Sequence, residues 1–504
     1  MLDTLLAKLR SVVASLVPGG GLRERTVKSG IWVTAMNVGD RVLQLGSLVV
    51  LARLLSPADF GLMGIALVAI HGLQRFTNLG LDEALIKDRD DDVDDYLDTA
   101  WVLNLGRGLL IAGVMFLGAP LIASFTGEPR ATPILRVIGI SPLLLQLRNP
   151  GTVYFKKDLA FEKQFLYTMG GSISNFAVAV TLAVLWQNVW ALVFGYIASD
   201  LMRTVMSYLL HDYRPWPAFD LDIARKLVDY GKWLTGSRIV LFLINEGDDA
   251  IVVWLLGAAS LGFYQIAYRF AMAPARELTQ IVSSIMFPAY SKLQDDVGAL
   301  RSAFFKTVKM TTFISFPVGF GIIAVAPTFV AAFFGQRWLP MVPVMQIIAV
   351  NGILISFTSA FGSVWMARDR PDYLVKVGLI RLPLMVLAMI PMTRAFGIAG
   401  AAAAVVGVYV FPMLPIDIYL VVKTVETTYW RLLSEVVYPL AASLVMGAVV
   451  WIAERSLDLG MPFVEFVLLT LLGIAVYVVV AFALERQFDW GIERNVRQMV
   501  DAVK

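Results

Sequence analysis

The chain has 504 residues, of which 58% are apolar and 16% charged, where a soluble domain carries about 25% charged residues. Its net charge of +3 and its dispersed Lys and Arg exclude a basic nucleic-acid-binding face. With no cysteine and two histidines, His71 and His211, disulfides, thiolate chemistry and a His-built metal site are excluded as well.

Residues 1–28 read as a cytoplasmic amphipathic segment. Leu2, Leu5, Leu6, Leu9, Val12, Val13 and Leu16 recur at helical spacing and form one apolar stripe. Asp3, Lys8 and Arg10 break the apolar core that a cleavable signal requires. A frayed tail is the alternative reading.

A membrane span needs about 20 mostly apolar residues. On that length the chain offers fourteen: 29–54, 59–81, 98–124, 131–151, 165–186, 189–210, 232–256, 260–287, 304–327, 341–366, 373–393, 397–422, 432–452 and 461–484. Glu435 interrupts the thirteenth, and Glu465 sits early in the fourteenth. Short turns, four of the five with Gly, Pro or Asn, join the spans on one side: Ser56-Pro57-Ala58, Gly127-Glu128-Pro129, Gln187-Asn188, Gly257-Ala258-Ala259, and Arg394-Ala395-Phe396. Longer loops on the other side hold most of the 42 Lys and Arg, among them Lys156, Lys157, Arg225, Lys226, Lys292, Arg301, Arg368 and Arg370. Lys and Arg accumulate on the cytoplasmic side, so both termini are expected there. The inward loop from Asp82 to Asp98 is strongly acidic. Without a Gly-punctuated calcium loop it reads as a solvated face.

The expected fold class is an all-α integral membrane protein. Gly30, Trp32, Thr34, Gly46, Leu54, Leu55, Ala58, Gly61 and Arg75 recur at constant offset as Gly231, Trp233, Thr235, Gly247, Leu255, Leu256, Ala259, Gly262 and Arg276. The first span therefore corresponds to the seventh, in the same orientation, which makes a parallel repeat about an axis along the membrane normal. The expected organisation is an N-lobe, 29–210, a cytoplasmic linker, 211–231, and a C-lobe, 232–422. Two further helices follow in 423–484, with a cytoplasmic tail in 485–504.

Charge at bilayer depth is costly and normally faces a bundle interior or a wet cavity. Span one carries Asn37, Asp40, Arg41 and Gln44, and span two carries His71, Gln74, Arg75 and Asn78. Span seven carries Arg238, Asn245, Glu246, Asp248 and Asp249, and span eight carries Gln265, Tyr268, Arg269 and Arg276. Arg107 and Arg381 lie in spans three and eleven. As a group these residues point to a central anion-binding cavity. Singly, each reads equally as a buried ion pair that fixes helix packing, such as Arg41 with Asp248 or Glu246 with Arg276. No nucleotide-phosphate loop, metal-ligand spacing or nucleophile beside a His is present, and no cofactor is expected.

Four segments carry a family resemblance: Leu51–Gly61 (LARLLSPADFG), Asn78–Leu81 (NLGL), Leu256–Arg269 (LGAASLGFYQIAYR) and Phe287–Asp296 (FPAYSKLQDD). They resemble the Wzx-type polysaccharide exporters, nearest the colanic-acid and xanthan type, of the multidrug/oligosaccharidyl-lipid/polysaccharide exporter superfamily. The resemblance covers about residues 25–425 and departs at Asp82-Glu83, where relatives often carry small or polar residues. It implies a flippase that moves undecaprenyl-pyrophosphate-linked repeat units across the bilayer by alternating access. It also implies polymerase or export machinery as partners; the family offers no fixed coupling-ion residue to carry over, and H+ or Na+ coupling is an expectation from the intramembrane carboxylates alone.

Under that implication Arg41, Arg75, Arg238, Arg269, Arg276 and Arg381 meet the pyrophosphate, and Asn37, Gln44, Tyr264 and Tyr268 meet glycan. Asp40, Glu246, Asp248 and Asp249 are the ion-coupling candidates. Asp248 and Asp249 lead because Arg238 lies more than two turns away on the same helix. One rival is a cation-coupled drug or metabolite antiporter of the same superfamily, which would want an acidic cavity and would be told apart by transport of cationic dyes. A membrane glycosyltransferase or polymerase is another, and it would need a large outward catalytic loop. A non-transporting scaffold is disfavoured by the buried charges.

Overall fold

The structure is a computed structural model describing residues 22–78, 94–457, 459–488 and 490–491, with the side chains at 22–28, 94–95, 226–238, 240 and 241 outside the described set. The apolar stripe of the N-terminal segment, most of the acidic run and the end of the tail thus lie outside it.

The described residues are helical, as the bilayer requires. No water is available there to satisfy free backbone groups, so each span must close its own hydrogen bonds. In the first half the helices are α1 (Leu22–Leu54), α2 (Pro57–Phe76), α3 (Asp94–Thr126), α4 (Ala131–Ile138), α5 (Ile140–Gln146), α6 (Phe161–Trp186) and α7 (Trp190–Leu210). Then come α8 (Leu221–Ser291), α9 (Val297–Phe333), α10 (Val342–Ala367), α11 (Asp372–Val408), α12 (Leu414–Thr424), α13 (Tyr429–Ser456) and α14 (Pro462–Phe488).

Nine stretches among the described residues are long and apolar enough to cross a membrane. Two of them, Phe242–Ser291 and Asp372–Thr424, run 50 and 53 residues. At about 1.5 Å per residue each is more than twice the roughly 30 Å hydrocarbon core, so each makes two crossings. The breaks fall at Gly257 (φ +78°), the first residue of one expected outward turn, and at Gly397 (φ +61°), the residue just after another. With α1, α7 and the apolar pair α4–α5, all fourteen expected crossings are accounted for.

Local chemistry sets the ends. Ser56 caps α2 reciprocally with Asp59: the Asp59 amide donates to Ser56 Oγ (3.3 Å) and the Ser56 amide to Asp59 Oδ2 (2.9 Å). Pro57 opens the helix, where its missing N–H costs nothing. Asp296 and Thr428 cap α9 and α13 in the same way, accepting from the Ala299 and Arg431 amides. Ser56 is the residue that the repeat aligns with Gly257, so the chain breaks at equivalent positions in the two copies.

By internal contacts the chain divides into two units, 1–246 with 257–259, and 247–256 with 260–504. In the first, α6 packs on α1 and α7, and α3 packs on α4 and α5. Small residues permit the approach: a Cβ on Gly195 of α7 would sit 2.6 Å from the Ala179 methyl of α6. Asp98, at the end of the acidic run, accepts from the Tyr213 hydroxyl and the Trp216 amide, both at 2.8 Å, and so holds the segment after α7. The turn at Gly257–Ala259 also belongs to this unit. Its Ala258 amide donates to Glu128 Oε1 (3.2 Å), and its Ala258 carbonyl lies against Gly61.

In the second unit α9 is the hub, packed on α10, α13 and α14. Phe304, Phe361, Trp365, Val421 and Leu432 build its main core. The Tyr477 hydroxyl of α14 donates to the Phe313 carbonyl of α9 (2.7 Å). The two helices beyond the repeat are therefore packed into this unit.

Candidate functional site

On α1, Asp40 is held at both oxygens. Ser172 Oγ of α6 donates to Oδ1, and Gln44 Nε2 donates to Oδ2 at 2.7 Å. That ties Gln44 to its own helix neighbour one turn away. Asn37 and Arg41, on the same helix, are exposed. Arg75 is exposed in the last turn of α2. Arg107 of α3 closes that helix end: its guanidinium donates to Thr77 Oγ1 (3.1 Å) and to the Gln74 carbonyl (2.9 Å). A cation on the terminal carbonyls also suits the helix dipole.

The second unit gathers the denser cluster. Asp248 and Asp249 are both buried on α8. Tyr264 donates its hydroxyl to Asp248 Oδ2 (2.8 Å), and Gln265 Nε2 donates to Asp249 Oδ2 (2.7 Å). These two donors lie on the far side of the Gly257 break, so the break folds the second half of α8 back onto the acids. Asp248 Oδ1 is buried with no hydrogen-bond partner.

Arg381 of α11 reaches the same place. It acts electrostatically on Asp248, Tyr268, Tyr409 and Asp417. Its guanidinium lies 5.2 Å from the Tyr409 ring centroid, and its Nε is buried without a hydrogen bond. The Tyr409 hydroxyl is paired with Thr358 Oγ1 at 2.6 Å. Asp417 of α12 is buried, again with Oδ1 unpartnered. Arg276 lies over the Tyr268 ring at 5.4 Å. The result is two carboxylates and two guanidiniums around Tyr268 and Tyr409, with polar atoms left unsatisfied on both signs of charge.

The sequence-derived residues thus distribute unevenly. Asp248, Tyr264, Tyr268, Arg276 and Arg381 come together, with Asp249 beside them. Tyr264 is fully buried and acts on Asp248 through its hydroxyl, which removes it as a ring face for glycan. Asp248 is remote from arginine along its own helix only, because Arg381 of α11 acts on it from another helix. Glu246 lies two residues before Asp248 on α8 and belongs to the first unit. Arg269 is exposed on α8. The Arg238 side chain lies outside the described residues.

Asp417, Tyr409 and Thr358 were missed. The signal for Asp417 was present as an acid inside an apolar span, Leu414-Pro-Ile-Asp417. It lies on the last span of its lobe, away from the first two helices of each repeat where the intramembrane charges concentrate. Asp200 was overlooked in the same way. It is buried on α7, accepting from Ser141 Oγ and 3.7 Å from Arg203.

Comparison with known proteins gives a consistent picture. A family model described as "Polysaccharide biosynthesis protein" matches residues 50–343. The chain is 28% identical over 389 residues to the lipopolysaccharide biosynthesis protein WzxC of Escherichia coli (strain K12), covering 77% of each. It is 26% identical over 333 residues to the succinoglycan biosynthesis transport protein ExoT of Rhizobium meliloti (strain 1021), covering 66% of this chain and 67% of that one. Among solved structures, the lipid II flippase MurJ in an inward closed conformation superposes with a TM-score of 0.73 at 15% identity, over 91% of this chain and 99% of that one.

Proposed function

The chain belongs to the polysaccharide biosynthesis protein family, and on that premise we propose that it is a flippase for oligosaccharide repeat units carried on undecaprenyl pyrophosphate. It moves them across a bacterial inner membrane, for exopolysaccharide or lipopolysaccharide assembly, by alternating access of a cationic cavity. It is a carrier rather than an enzyme, and it delivers to polymerase or export machinery. Both termini are cytoplasmic by the Lys/Arg rule. The working lobes are residues 29–210 and 232–422, joined by the linker 211–231.

The observation that carries the reading is Arg276 and Arg381 converging on Tyr268 in a body otherwise built of apolar helices. Guanidiniums in a low-dielectric setting recognise pyrophosphate oxygens through paired N–H donors, and an aromatic face beside them suits a sugar. Arg41, Arg75, Arg238 and Arg269 are the further candidates for the pyrophosphate, with Asn37 and Gln44 for glycan hydroxyls. The relatives named for lipopolysaccharide biosynthesis and succinoglycan transport support the substrate class.

The test is flipping of a fluorescent pyrophosphate-linked glycolipid in proteoliposomes. Arg276→Ala and Arg381→Ala are each expected to lower the rate by about tenfold or more, the loss of a charge-assisted hydrogen bond of roughly 1.5–3 kcal/mol. Arg→Lys should recover part of it, since charge is kept and the planar fork lost. Wild-type rates in both Ala variants would sink the assignment.

A further inference from the structure

A second basic site lies apart from this cluster. An open recess of about 860 Å³ sits where the start of α9 meets the start of α13. Four cations line it, Arg301, Lys306, Lys309 and Arg431, against two carboxylates, Glu426 and Glu435. Glu435 is buried and already neutralised: Lys309 Nζ and Arg431 each stand 3.2 Å from it. Arg301 is pinned by donating to the Glu426 carbonyl oxygen (2.8 Å). The lining thus carries two more cations than carboxylates.

Its depth in the membrane is marked by its neighbours. Tyr429 and Trp430, in the first turn of α13, are exposed, Trp430 to 81%. Exposed Tyr and Trp beside Lys and Arg at a helix end mark the headgroup layer. The same end of α9 carries the basic residues that assign it to the inward side. A space of this size suits a small organic molecule and exceeds what a lone phosphate would fill.

We propose that this recess binds the phosphate headgroup of an anionic phospholipid of the inward leaflet. Lys309 links the site to the last helices: its Nζ also donates to the Trp490 carbonyl (2.5 Å) and lies 4.6 Å from the Trp490 ring centroid. Occupancy then adds anionic charge beside the residue that fastens the end of α14 to α9. The inference is independent of the transport reading, since none of these residues is assigned to the transported substrate.

The purified full-length chain is titrated in detergent with dioleoylphosphatidylglycerol, dioleoylphosphatidylcholine or inorganic phosphate, and bound lipid is counted by native mass spectrometry. Phosphatidylglycerol should be retained about tenfold better than phosphatidylcholine, and millimolar phosphate should not displace it. Lys306→Gln and Arg301→Gln should each weaken retention by about fivefold, the worth of one interfacial cation. Lys306→Arg and Arg301→Lys should stay within about twofold of wild type, which separates lost charge from lost fold. Equal retention of the two lipids, or unchanged retention in both Gln variants, overturns the proposal. Full displacement by phosphate assigns the recess to free anions and overturns the lipid headgroup. Failure of the charge-keeping variants with normal thermal unfolding also overturns it.

Discussion

Gly61 shows how little room some positions leave. A Cβ built there would lie 1.7 Å from the Ala258 carbonyl oxygen, which belongs to backbone and has no side-chain rotamer to swing away. Gly61→Ala must therefore push the Gly257–Ala259 turn off α2, with an overpacking cost of about 1–3 kcal/mol. A lower thermal unfolding midpoint and reduced glycolipid flipping are expected. Gly113→Ala serves as the control, since nothing lies within 4 Å of its added Cβ, and it should leave both measurements unchanged. A Gly61→Ala protein as stable and active as wild type would show that the turn does not pack as described. The sequence displayed Gly61 as a repeat identity with Gly262 and as the end of the Leu51–Gly61 segment. Its contact was invisible because the partner lies almost two hundred residues away. The same limit hid Arg381 from Asp248. Spacing along one helix reports which residues share a face, not which helix faces them.

Among the elements, the helices were the most legible part of the chain. Apolar runs of membrane length bounded by Gly, Pro and Asn leave few alternatives, and every expected span has a helix. The two fused elements are where the reading and the structure differ. Gly257-Ala258-Ala259 and Arg394-Ala395-Phe396 read as loops. The backbone instead stays helical on either side of one glycine each, at φ +78° and +61°. Left-handed backbone is costly for residues with a Cβ, by roughly 1–2 kcal/mol. Gly257→Ala and Gly397→Ala are thus expected to lower the unfolding midpoint by a few degrees each. The Gly257 change should also impair transport more, because the break at Gly257 brings Tyr264 and Gln265 onto Asp248 and Asp249. If Gly257→Ala leaves transport untouched while Gly397→Ala abolishes it, the acid cluster does not depend on this break.

At the scale of the whole molecule, the question is what drives transport in one direction. The buried carboxylates carry the expectation that an ion gradient supplies the drive. Carboxylates that exchange a proton or cation should be buried and incompletely hydrogen-bonded, since a fully satisfied carboxylate has no room for a second ligand. Asp40 fails that criterion, with donors on both oxygens. Asp248 and Asp417 meet it, each buried with Oδ1 unpartnered and each within electrostatic reach of Arg381. They sit on separate helices, α8 and α12, with Arg381 of α11 acting on both, and the expectation is that an exchange at either one shifts the balance of Arg381 between them. Asp248→Asn and Asp417→Asn are expected to fold normally, because the isosteric amide fills the same space without a buried charge. Flipping driven by an imposed proton or sodium gradient should then fall to the rate seen without a gradient, while exchange at zero gradient persists. Asp40→Asn, altering a satisfied carboxylate, should retain the gradient response. Loss of the response in Asp40→Asn alone would move the coupling to α1 and leave Asp248 and Asp417 as fixed partners of Arg381.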